Sequence, residues 1–208
     1  MRVSVVGKDG SAAILRGVPQ VAAYPDDAAN KLYNLLFADD ADAFEVLSNG
    51  DPAEVADDQR AESRLRVVAY RLLARRGRPP SDAPPLLGTI MEIALDEGLD
   101  TLAAFADGSV RYLNHTGSGS IVEAPGLFAS QVEAVLLASK RVVAAIGPWE
   151  GDRLPPPPTG HARLTFLVGG QLYFGEGPFE ALARDRLAGP VLAAATTLLQ
   201  AVVDRSAR

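Results

Sequence analysis

Cysteine is absent from all 208 residues. Disulfides, thiolate nucleophiles, thiolate zinc sites and iron–sulfur ligation are therefore excluded. Histidine is scarce: His115 and His161 are the two in the chain, so any imidazole base must be one of them. Tryptophan occurs once, at Trp149. Of the 20 basic residues, Lys8, Lys31 and Lys140 alone are lysines, and this arginine-rich composition, with abundant Ala, Gly and Pro, suggests a bacterial genome of high GC content. No apolar run approaches the roughly 18 residues that span a bilayer. The apolar stretch ahead of Lys8 and Asp9 is shorter than a signal-peptide core, so a cytoplasmic protein is expected. A formal charge of −6 opposes general attraction to nucleic acid or to an anionic membrane.

Three β-hairpins are signalled by turn chemistry. Asp9-Gly10, Asp107-Gly108 and Gly169-Gly170 each sit between β-prone runs and supply the positive φ angles of two-residue primed turns. LLGTIMEIAL (86–95) adds a strand upstream of the second hairpin, and 121–123 a short one after it. Helices are signalled by their starts. Asp51-Pro52-Ala53-Glu54 is a capping box with proline at the first helical position, opening a helix that ends at Arg75-Arg76-Gly77. Ser130-Gln131-Val132-Glu133 is a second box, and Gly189-Pro190 opens a third long helix with apolar residues at i, i+3/i+4 and i+7. An earlier helix runs from Asp26 to about Leu36.

The four prolines of 76–87 mark a linker. The expected division is 1–78 as a hairpin plus a helical region, 79–85 as a proline-rich linker, and 86–208 as a sheet domain. Strands grouped together, with helices between the groups, predict an α+β fold with an antiparallel sheet of about five strands covered by helices. Over 86–208 this element order resembles that of profilin-like and roadblock-like domains. No motif accompanies the resemblance, so it implies no functional residues.

The chemistry-bearing patterns are weak. Arg60, Arg64, Arg71 and Arg75 fall within about 60° on a helical wheel, a stripe suited to phosphates or an acidic partner. A solvated helix edge, with Arg66 paired to Glu62 and the last cations complementing the helix dipole, is the simpler reading. HTGSGS (115–120) is glycine-rich but precedes no helix, unlike a phosphate loop. Ser118 and Ser120 lack a strand–helix elbow. The acidic runs Asp39–Glu45 and Glu92–Asp100 lack calcium-loop spacing, and no metal or other cofactor is implied. FGEGP (174–178) reads as a strand end followed by a helix start, with Gly177 as N-cap and Pro178 at the first helical position. In the segment 148–170, Pro155–Pro158 form a stiff connector that Trp149 pins to the core; Arg153–Pro158 also has the form of a basic proline-rich ligand.

The expected function is non-enzymatic: an adaptor, regulatory or assembly component acting through contacts with a protein partner. Arg60, Arg64, Arg71 and Arg75 are the candidate partner-binding residues. The final helix carries a small, uncharged face opposite its core stripe (Ala193, Ala194, Thr196, Thr197, Gln200, Ala201), which suits packing inside the domain or across a homodimer. One alternative is a small-ligand sensor or enzyme with a pocket near 114–120 and 148–163, using His115, Ser118, Trp149 and His161. A second is anion or nucleic-acid binding through the Arg stripe.

Overall fold

The computed structural model describes residues 20–39, 50–78, 84–122 and 126–206. The hairpin expected around Asp9-Gly10 lies outside them, as do Asp40, Asp42 and Glu45 of the first acidic run. Among the described residues no helix is long and apolar enough to cross a membrane.

A six-stranded antiparallel sheet forms the centre: β1 (Leu86–Leu95), β2 (Gly98–Phe105), β3 (Val110–Leu113), β4 (Gly119–Val122), β5 (His161–Val168) and β6 (Gln171–Pro178), in spatial order β4-β3-β2-β1-β5-β6. This is the α+β architecture expected, with one strand more than the expected five. β2 and β1 are the central pair, and β1 and β5 pair along nearly their whole length. A register shift between Leu86 and Gly88 resets the alternation, so Leu87 and Gly88 turn to the same face, that of Phe105 and Leu167.

Each face is covered by helices. On one, α1 (Asp27–Leu36), α2 (Pro52–Asp57) and α3 (Ser63–Arg75) enclose Tyr33, Phe37, Val67 and Val68 with Leu87, Ile90, Ala103 and Phe105. On the other, α4 (Ala129–Val143) and α6 (Ala188–Ser206) enclose Val132, Val135, Leu192 and Leu198 with Met91, Leu102, Leu164 and Phe166. A short α5 (Phe179–Arg184) joins β6 to α6. Period-2 alternation along the strands feeds both cores, so central strands read as nearly continuous apolar runs.

Local sequence explains most boundaries. Asp26 caps α1 through Oδ2, which accepts from Ala29 N at 2.8 Å, and Asp51 caps α2 in the same manner. The single helix expected over 51–75 is broken. Asp58 ends α2 with an extended backbone (ψ 104°), and its Oδ1 accepts from Arg60 N at 2.9 Å, a local bond that competes with helical pairing. The capping box expected at Ser130 is not used: α4 begins at Ala129, with Ser130 already inside it and Phe128 as an uncapped N-cap. Pro178, not Gly177, is the N-cap of α5.

Candidate functional site

The segment 148–160 leaves the α4 side of the molecule and crosses to the α1 side around the β6 edge. Trp149 N donates to Leu172 O at 2.7 Å in an isolated antiparallel bridge. Its indole packs edge-on against Phe174 with ring centres 5.1 Å apart, and its Nε1 donates to Asp152 O at 2.9 Å. Tryptophan thus pins the connector to the sheet edge while remaining 41% exposed. Four residues later Arg153 turns inward. Its Nε lies 2.9 Å from Asp39 Oδ2, Nη2 donates to Asn34 Oδ1, and the guanidinium stacks 4.2 Å from the Phe37 ring centre. The inward Arg153 also removes the basic anchor that a proline-rich ligand would present.

Arg153 belongs to an interior cluster of charged groups. Arg163, on β5, donates from Nε to Glu176 Oε2 at 2.8 Å and from Nη1 to Leu154 O at 3.4 Å. Its Nη1 lies 3.8 Å from Glu92 Oε2. Tyr33 OH donates to Glu92 Oε1 at 2.6 Å, and Glu92 is fully buried. Burial pushes the Glu92 carboxyl above the usual carboxylate range, against the opposing Tyr33 hydrogen bond and the Arg163 and Arg153 charges. Asp39 is raised for the same reason, opposed first by Arg153 and then by Arg71. Arg71 joins from α3: the residue is partly exposed, but Nε and Nη2 are sealed and form no hydrogen bond among the described residues. Burial pulls it down to about 10, opposed by Asp39.

Asp39 is aimed by strain. The preceding residue, Ala38, is buried with φ 49°, a left-handed conformation that L-alanine adopts at a cost of about 1 kcal/mol. It ends α1 and turns the carboxylate toward Arg153.

The arginine pattern does not form a surface stripe: the break between α2 and α3 separates Arg60, and the part of α3 that carries Arg64 and Arg71 is packed inward. Arg60 lies outside both helices, 94% exposed and 3.5 Å from Asp58. Arg64 is largely covered, ion-paired with Glu62 and 5.8 Å above the Phe105 ring. Arg71 is inside the cluster, and Arg75 is exposed in the last turn of α3. One continuous arginine face does not form.

The two histidines and the tryptophan do not share a pocket. His115 sits in the β3–β4 turn, where its N donates to Asp100 Oδ1 at 2.7 Å and Nδ1 lies 3.5 Å from the same oxygen. Ser118 closes that turn on itself, its N donating to Asn114 Oδ1 at 3.1 Å. His161 opens β5, with Nδ1 3.4 Å from Thr159 O. Asp100 and Ala162 flank the same residue, Ile93, from opposite sides, so about 10 Å separates their backbones. Alternation places Asp100 with the α4-side core and His161 with Arg163 on the α1 side. Trp149 is opposite Leu172 and His161 opposite Pro178, about 20 Å apart along β6.

A different feature, an open cleft, has a volume of about 470 Å³ and lies between α4 and the β2–β3 turn. Leu86, Val132 and Leu136 line it, and Leu137 stands 62% exposed beside them. Asp107, Glu133 and Lys140 supply its charge. Asp107 is already engaged: its Oδ2 accepts from Ser63 N at 2.6 Å and its Oδ1 from Ser109 N at 2.9 Å. Burial would raise this carboxyl, but those bonds outweigh it and hold it below the usual range. Among the described residues, no histidine, serine, threonine, tyrosine or tryptophan lines the cleft. Among them, too, no three His, Asp or Glu side chains are grouped to hold a metal ion.

The chain matches no protein-family model, and no curated protein matches it significantly.

Proposed function

We propose that this chain is a non-enzymatic binding module, an adaptor or assembly component that receives a short apolar segment of a protein partner on its α4 side. The observation that carries the reading is the 470 Å³ cleft with an apolar lining and Leu137 exposed at its margin. Its size is that of a ligand-binding cleft, about 300–1,000 Å³. Among the described residues its lining offers shape and apolar area but neither a hydroxyl nucleophile nor an imidazole base. Glu133, Leu137 and Lys140, at i, i+4 and i+7, present one face of α4. The α6 face carrying Ala193, Thr196, Thr197 and Gln200 is exposed and uncharged, which supports a second contact, with another copy or with the same partner.

A photo-crosslinking residue in place of Leu137 tests this. The expected result is a defined protein adduct from native lysate, absent when the same residue replaces the exposed Arg60. With that protein purified, Leu137→Asp is expected to weaken binding at least about tenfold, the equivalent of 1.4 kcal/mol, without lowering Tm. Equal crosslinking at both positions, or unchanged affinity, would sink the reading.

A further inference from the structure

Leu137 occupies the outermost line of α4. The buried residues of that helix, Val132, Val135, Ser139 and Val142, point to the sheet, and at about 100° per residue Leu137 lies about 180° from their mean direction. It is the most exposed large apolar side chain among the described residues, on a face that ordinarily carries polar or charged groups. Glu133 stands one turn before it and Arg141 one turn after it, both exposed and each about 40° from Leu137 on the helical wheel. Among the described residues neither makes an ion pair within its own chain. Two turns away on either side, Ser130 and Ala144 are small and exposed.

We infer that α4 packs antiparallel on α4 of a second copy of this chain, about a two-fold axis at Leu137. Such an axis sets each position before Leu137 against the position equally far after it on the other copy. Leu137 then meets Leu137. Glu133 meets Arg141 of the second copy, and Arg141 meets Glu133 of the second copy, so the pair forms twice. Ser130 falls opposite Ala144, two small residues where the helices must approach closely. An isologous contact requires a surface complementary to itself, and this stripe has an acid end, an apolar centre and a basic end in the spacing that a two-fold axis pairs. Charge thus selects a second copy as the occupant, because the face already carries its own complement.

α6 extends the contact. It lies beside α4 on the same face of the sheet, and no charged side chain occurs from Gly189 to Val203. α4 and α6 have 15 and 19 residues. With a rise of about 1.5 Å per residue and axes about 9 Å apart, their outer faces offer about 500 Å² per copy. A dimer would bury about 1,000 Å² in all, enough for a reversible association and short of an obligate one. The inference rests on the reading of the α4 side as a protein-binding surface and names the protein: the apolar segment received is the middle of a second copy's α4.

The test uses the purified full chain at low ionic strength. Analytical ultracentrifugation is expected to show a reversible dimer at about 10–100 μM, and a photo-crosslinking residue in place of Leu137 is expected to give an adduct of two chains. Glu133→Arg and Arg141→Glu each make both cross-copy pairs repulsive. Each is expected to raise the dimer Kd at least about tenfold without lowering Tm. In an equimolar mixture of the two variants, opposite charges face each other again at both pairs, and dimerisation is expected to return to the wild-type level. A monomer throughout that concentration range, single variants that dimerise as well as wild type, or a mixture no tighter than either variant alone would overturn the inference. A monomeric chain whose position-137 probe captures a different protein would overturn it and leave the proposed function standing, whereas no adduct of either kind would remove both.

Discussion

Asp107 shows how far a single residue acts from its own neighbourhood. The N-cap position of α3 is Glu62, whose side chain makes no cap bond. The cap comes instead from 44 residues away: Asp107 Oδ2 accepts from Ser63 N, and Ser63 Oγ accepts from Asp107 N at 3.0 Å. An acidic group at a helix N-terminus is favoured by both the free N–H groups and the helix dipole. Its carboxyl is depressed in the folded state. The stability it contributes is therefore present above the unfolded value of about 3.9 and lost as pH falls through the folded value. Asp107→Ala is expected to cost about 1 kcal/mol at pH 7, and urea melts between pH 7 and pH 3 should show the variant losing less on acidification than wild type. An identical acid limb in the two proteins would mean that Asp107 is not the cap. Asp-Gly at 107–108 was legible as a turn, but its service to α3 was not, because the partner is remote in sequence.

At the scale of elements, glycine pairs illustrate the same division. Gly169-Gly170 reads as a hairpin turn, and β5 and β6 do join there. Gly169 has the expected positive φ of 53°. Gly170 is needed for a different reason: a Cβ on it would lie 2.6 Å from Arg71 N and 2.8 Å from Tyr70 C, against the backbone of α3. The turn is the point where the β5–β6 hairpin touches the helical layer. Gly170→Ala is expected to destabilise by about 1–3 kcal/mol, as overpacking does, whereas Gly175→Ala, where a Cβ meets open space, should shift Tm little. Chemical denaturation of the two variants compares them directly, and equal losses would refute the close approach. Helix starts divided similarly. The cap at Asp51 was legible because donor and acceptor are two residues apart; that at Asp26 was not read, Asp26 being taken as the first residue of the helix. The Asp58 turn that splits α2 from α3 was hidden behind favourable apolar spacing, and it took Arg60 out of the arginine stripe; Arg64 and Arg71 left the surface because α3 packs them inward.

Across the whole molecule, the α1 layer and the sheet are joined by polar contacts set among apolar ones. Tyr24 OH donates to Thr101 Oγ1 at 2.8 Å, Tyr33 OH reaches Glu92, and Arg153 reaches Asp39 and Asn34. The cluster balances Arg71, Arg153 and Arg163 against Asp39, Glu92 and Glu176. Glu92 nevertheless has a raised carboxyl, since burial outweighs its neighbours. A group that holds its proton more tightly when folded favours folding at low pH, and that advantage fades as pH rises from the unfolded value of about 4.3 toward the folded one. Glu92→Gln keeps the acceptor for Tyr33 and removes the ionisation. Its Tm is expected to exceed that of wild type at pH 7, with the gap narrowing as pH is lowered toward about 4. A variant less stable than wild type at pH 7 would show that the ionised carboxylate is favoured by the three arginines.

Sequence by itself determined the class of fold. Turn dipeptides, period-2 runs and capped amphipathic stretches are local signals, and the antiparallel sheet with helices on it follows from them. Glu92, Arg153 and Arg163 were invisible as a cluster, even though each was in plain view, because β1, the connector and β5 bring them together from separate stretches of chain. Trp149 was expected to pin the connector to the core; it pins it instead to the β6 edge of the sheet and stays exposed. Its separation from His161 was decided by the strand register, which puts the two at opposite ends of β6. Which charges are buried, which clefts stay open and which residues face one another depend on distances between segments far apart in sequence. Those are properties of the tertiary structure alone.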